Sequence, residues 1–107
     1  MNVTHYVALF IGGMFLFNAL PHLCAGVMGR PFQSPFATPR GEGLSSSTVN
    51  VLWGFSNLFM AWALLVRLSH LDLQDWDRVM VVGAGGLLIS LFAARHFGRF
   101  HGGNTST

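Results

Sequence analysis

The stretch FNALPHLCAG, residues 17–26, sets an asparagine, a proline, a histidine and a cysteine inside a run that is otherwise apolar. That run extends from about residue 3 to residue 28 and holds no Asp, Glu, Lys or Arg. A helix needs roughly 20 apolar residues to cross a bilayer, so it reads as a transmembrane helix with a polar face. The N-terminal MNVTHYVALF has no basic segment and no small-residue cleavage site follows a short apolar core, so the first span is expected to be retained, not cleaved as a signal peptide.

Working outward, the composition agrees. Of 107 residues, 51% are hydrophobic and only 9% charged, whereas a soluble domain carries about 25% charged residues. Thirteen glycines and ten phenylalanines suit helices packed closely in lipid. The chain is short enough for a single domain over residues 1–107. Its six basic residues are all Arg and are dispersed, so no nucleic-acid partner is expected. With one cysteine, Cys24, an intrachain disulfide is excluded.

The pattern therefore predicts an all-α integral membrane protein, a compact bundle of three transmembrane helices over about 3–28, 49–66 and 79–97. A long loop, residues 29–48, joins the first two helices; a short one, 67–78, joins the second and third; residues 98–107 form a tail expected to fray from His101 onward. In the long loop Pro31, Pro35 and Pro39 exclude a regular helix. It also repeats itself, PFQS then PFAT, which spaces Phe32 and Phe36 so that both rings can pack under the bundle or enter the headgroup region. Ser45 to Thr48 supply N-caps for the second helix. Arg30, Arg40, Arg95 and Arg99 fall on one side of this topology and Arg67 and Arg78 on the other. The positive-inside rule then places the long loop and C-terminus in the cytoplasm and the N-terminus outside, in a cell membrane of the bacterial inner-membrane type.

Residues three and four apart share a helix face. On the first helix Asn18, Pro21, His22, Ala25, Gly26 and Gly29 form one stripe; on the second, Asn50, Gly54, Asn57 and Ala61; on the third, Gly86, Ser90, Ala94, Gly98 and Gly102. Small residues let helices approach in lipid, so these stripes are expected to meet, with Val82 lying away from the third. At 1.5 Å per residue His22 lies about 10 Å, Asn18 about 16 Å and Asn57 about 12 Å from the loop end of the bundle, and Ser90 is near that level, with His96 closer to the surface. Pro21 is expected to break the helix and free the Phe17 carbonyl; the asparagines are expected to bridge helices; His22 is expected to bond Asn57 or a backbone carbonyl. Cys24 reads as a small hydrophobe. An ionisable residue inside a membrane is a functional candidate by default, so Asn18, Pro21, His22, Asn50, Asn57, Ser90 and His96 form the candidate polar cluster.

No paired carboxylates, Walker-type loop or acid within a span is present, so no catalytic set, metal or cofactor is expected. The leading expectation is an accessory or interaction subunit, held in the lipid bilayer as a homo-oligomer or as part of a larger membrane complex. One alternative is an oligomeric transporter or channel component with a polar path lined by Asn18, His22 and Asn57. A second alternative is haem or metal binding, for which His22 and His96 are the only candidate pair of ligands and stand at poorly matched depths.

Overall fold

A computed structural model describes residues 2–104. Its elements are α1 (Val3–Val27), a two-stranded antiparallel hairpin of β1 (Phe32–Gln33) and β2 (Leu44–Ser45), α2 (Ser47–Trp62) with a π-helical continuation (Ala63–Leu68), and α3 (Trp76–His101). All three helices are long and apolar enough to cross a membrane.

Each helix starts on a side-chain cap. Asn2 accepts from the His5 amide, Ser46 from the Val49 amide, and Asp75 from the amides of Asp77 and Arg78. These caps satisfy amides that have no partner within the first turn. The Asp75 cap moves the start of α3 to Trp76, three residues before the expected 79. At the other end α3 does not stop at 97 but runs to His101, where Gly102 takes a left-handed conformation, φ 80°, and closes the helix. The expected frayed tail is also folded as far as Asn104, whose side-chain amide donates to the Arg95 carbonyl at 2.8 Å; residues 105–107 lie outside the described residues. α1 runs through Pro21 without the expected break.

The three helices are not mutually equidistant. α1 packs along both α2 and α3, while α2 and α3 scarcely touch. They converge at the short-connection end, where Leu9, Ala61, Leu65 and Val82 form the apolar core. Gly12 permits this: its missing side chain leaves the space occupied by Leu65 and the Cβ of Leu64 on the π-helical turn. Arg78 ties the connection by an ion pair with Asp75, 3.2 Å, and a bond to the His70 carbonyl.

At the other end the long loop is an ordered cap. β1 and β2 pair Phe32 with Ser45 and Gln33 with Leu44, a register the sequence pattern did not announce. Ser34, fully buried, is bonded to Ser45, accepts from the Phe36 amide and receives the Gly41 amide on its carbonyl. The cap reaches α3 as well: a ring nitrogen of His96 bonds the Gly41 carbonyl at 2.6 Å, and His101 bonds Gln33 at 2.8 Å and stacks on Phe32. His101, expected at the start of the frayed tail, thus helps to hold the hairpin.

Candidate functional site

The α2 stripe is buried as expected, all four of Asn50, Gly54, Asn57 and Ala61. It meets α1 by interdigitation. Leu23 of α1 fills the space over Gly54, and Val51 of α2 fills the space over Gly26. Two polar clasps lie along this seam.

The first clasp is Asn18 to Asn57, whose amides bond at 3.0 Å; Asn57 donates its own N–H to the Trp53 carbonyl at 2.8 Å. Asn18 is nine residues from the end of α1 and Asn57 ten from the start of α2, so both lie about 14 Å from the hairpin end. The sequence-level expectation of equal depth and of a bridge between helices holds for this pair.

The second clasp is His22 to Asn50, Nδ1 to Oδ1 at 2.8 Å, not His22 to Asn57. The difference is one of depth. Asn50 lies two helical turns nearer the hairpin than Asn57, and His22 lies one turn nearer than Asn18, so each α1 residue meets the α2 residue at its own level. Asn50 also donates to the carbonyls of Phe32, Ser45 and Ser46 at 3.1–3.2 Å. It therefore links α1, the hairpin and its own helix start. The His22 ring is 2% exposed and is met edge-on by Phe32, Trp53 and Phe97.

The remaining candidates are placed differently. Pro21 and Ser90 are half-buried on the sides of an opening of about 390 Å³ between α1 and α3. His96 packs on Phe92, Phe97 and Phe100, outside the clasps. Phe97 contacts both His22 and His96, and among the described residues no group of three or more His, Cys, Asp or Glu is arranged to hold a metal ion. Cys24 is exposed on the outer surface.

The α3 seam matches the expected stripe only in part, burying Gly86 and Gly98 and adding Gly85 and Val82. Gly86 is buried against the Phe17 ring, but Ala94 is exposed and Ser90 only half-buried. The closest approaches are at Gly85, over the Phe10 carbonyl, and at Gly13 of α1, over the Val82 carbonyl. Val82, expected away from the packing stripe, is in the core because it stands one turn before Gly86 on the same face.

A second opening, about 470 Å³, lies between α2 and α3 where they diverge, over Met14, Phe15 and Asn18 of α1. Trp53 and Asn57 from α2 and Ile89 from α3 line its sides. The indole N–H of Trp53 is buried and has no hydrogen-bond partner among the described residues. No protein-family model, curated protein or solved structure matches this chain.

Proposed function

We propose that this chain is an integral membrane protein that acts as an accessory or interaction subunit and carries out no chemistry of its own. The observation that supports this is the internal engagement of its polar side chains: His22 and Asn50 hold each other and the hairpin, and Asn18 holds Asn57. A solute path needs polar groups turned toward a continuous opening. Here they form two separate clasps on one seam, which weighs against the transporter alternative. The haem alternative is disfavoured because the Nε2 of His96, the one candidate to pair with His22, is held by the Gly41 carbonyl.

The surface available to a partner is the outer face of α3, where Leu87, Leu88, Leu91 and Phe92 are each more than half exposed. The arginine asymmetry orients the hairpin and C-terminus toward the cytoplasm of a bacterial inner membrane. Photo-crosslinkers placed at Leu87 and Leu91, with buried Leu9 as control, test the reading after purification in mild detergent. A stoichiometric adduct with a different membrane protein, absent at Leu9, is the expected result. Adducts only between copies of the chain would favour the oligomeric pore. A C-terminal reporter should give a cytoplasmic signal; a signal from the other side would invert the orientation.

A further inference from the structure

We propose that the hairpin end of α3 carries a binding site for the headgroup of an anionic phospholipid, with Arg95 and Arg99 holding its phosphate. The two arginines stand four residues apart, so they share a helix face with Cβ atoms about 6 Å apart, and both are exposed. They line an opening of about 370 Å³ together with Phe92, His96 and Asn104. Neither has a carboxylate partner among the described residues; the ion pair found there is Arg78 with Asp75, at the opposite end of α3.

The arrangement is built as well as charged. Arg99 donates from Nε to the His96 carbonyl at 3.4 Å and from Nη2 to the His96 Nδ1 at 3.2 Å, and its guanidinium lies 5.0 Å from the centre of the Phe100 ring. His96 is fixed in turn by the Gly41 carbonyl and by stacking on Phe92. A guanidinium held in this way loses less freedom when it takes a ligand. Its Nη1 remains unengaged, as do all the side-chain donors of Arg95 among the described residues. Planar guanidinium groups pair with phosphate oxygens through parallel N–H bonds. Asn104 donates to the Arg95 carbonyl and so turns the chain after Gly102 back against α3 as the rim of the opening. The negative end of the α3 dipole opposes an anion here, but it amounts to roughly half a unit charge, against two full charges from the arginines.

Depth and the neighbouring side chains select a lipid over a free phosphate. The 26 residues of α3 span about 39 Å, against roughly 30 Å of hydrocarbon, so the last two turns, which hold both arginines, lie at headgroup level. Leu88 and Phe92 continue the same stripe toward the membrane interior and are each more than half exposed. They offer an acyl chain a track from which inorganic phosphate would gain nothing.

The proposal rests on the membrane reading above and not on a protein partner. The test uses the full chain purified in mild detergent. The probes are dioleoyl phosphatidylglycerol, the phosphatidylcholine with the same chains, and inorganic phosphate, and the readout is the rise in melting temperature with probe concentration. Phosphatidylglycerol should bind more tightly than phosphatidylcholine by about 25-fold, or about fivefold for each arginine, and the preference should shrink as salt is raised. Arg95→Gln removes no side-chain hydrogen bond of the fold and should lower the preference about fivefold; joined with Arg99→Gln it should abolish it. Arg67→Gln, exposed at the opposite end of the bundle, should leave it intact. Inorganic phosphate should give no comparable rise. Equal binding of the two lipids overturns the proposal, as does a preference that survives the double substitution. A rise with inorganic phosphate as large as with phosphatidylglycerol would make this a free-anion site and overturn the lipid assignment. Equal lipid binding together with loss of the crosslinked partner in Arg95→Gln would assign the arginines to an acidic partner instead. Release of the chain from membranes by alkaline carbonate would remove the membrane reading and the site with it, whereas equal lipid binding by a chain that stays in the membrane removes the site alone.

Discussion

The two seams that hold this molecule together use different chemistry. Along α1 and α2, glycines alternate with leucine and valine, and two hydrogen-bonded clasps cross between the helices. Along α1 and α3, no side-chain hydrogen bond crosses among the described residues; the contact is glycine against backbone, Gly85 on the Phe10 carbonyl and Gly13 on the Val82 carbonyl. In lipid the hydrophobic effect gives little drive for one helix to meet another, so association rests on close packing and on hydrogen bonds. The α2 seam uses both and is directional. Its clasps fix which residue meets which. The α3 seam uses only proximity, and its specificity lies in where side chains are missing.

The largest effect is expected on the glycine seam. Gly85→Leu would drive a side chain into the Phe10 carbonyl, which is backbone and cannot turn aside; overpacking of this kind costs about 3 kcal/mol or more. Thermal unfolding in detergent should show α3 released, and a stability equal to the unaltered protein would mean the seam is misplaced. Gly83→Ala is the matching control, because a Cβ there meets open space and helix propensity favours alanine.

Next comes the hairpin clasp. Asn50→Leu would leave His22 and the carbonyls of Phe32, Ser45 and Ser46 without their donor or acceptor. A loss of about 2–3 kcal/mol is expected, accompanied by protease sensitivity in residues 29–48. Cleavage there without loss of global stability would show that the hairpin is held independently of the seam.

His22 sharpens the comparison between structural and chemical roles. His22→Ala should lower stability by about 1–2 kcal/mol, and His22→Gln should recover most of it, because an amide can renew the bond to Asn50. Should His22→Gln fold fully and yet lose the crosslinked partner or an associated phenotype, His22 would have a role beyond the clasp. The mid-seam pair is expected to matter least: a double-mutant cycle on Asn18→Ala and Asn57→Ala should give a coupling of about 0.6 kcal/mol, the usual size for a hydrogen bond between helices in a membrane. A coupling near zero would make the Asn18–Asn57 contact incidental.

The α1–α2 half of the site was legible because its signals are periodic. Asn50, Gly54, Asn57 and Ala61 recur at helical spacing, and all are buried. The choice of partner for His22 was not legible, since counting residues from a helix end places a side chain to within about a turn, and a turn is the difference between Asn50 and Asn57. The α3 half misled for another reason. GAGG at residues 83–86 offers adjacent small residues on different faces, and only the packed positions of Phe10 over Gly85 and Phe17 over Gly86 select those two while leaving Gly83 open.

What the sequence alone determined is the number of helices, their apolar character, a capped start for α2 within Ser45 to Thr48 and the small face of α2. These follow from local composition and 3.6-residue periodicity, which no distant contact needs to supply. The tertiary structure decided the hairpin and its hold on His96 and His101, the level at which His22 finds Asn50, and the divergence of α2 from α3 that leaves Trp53 beside an open cleft. The His22–Asn50 bond joins residues 28 positions apart and the His101–Gln33 bond residues 68 apart, and the divergence of α2 from α3 depends on the angle at which rigid helices cross. That angle is set by which glycines admit a neighbouring backbone, a property of the packed pair and not of either helix alone.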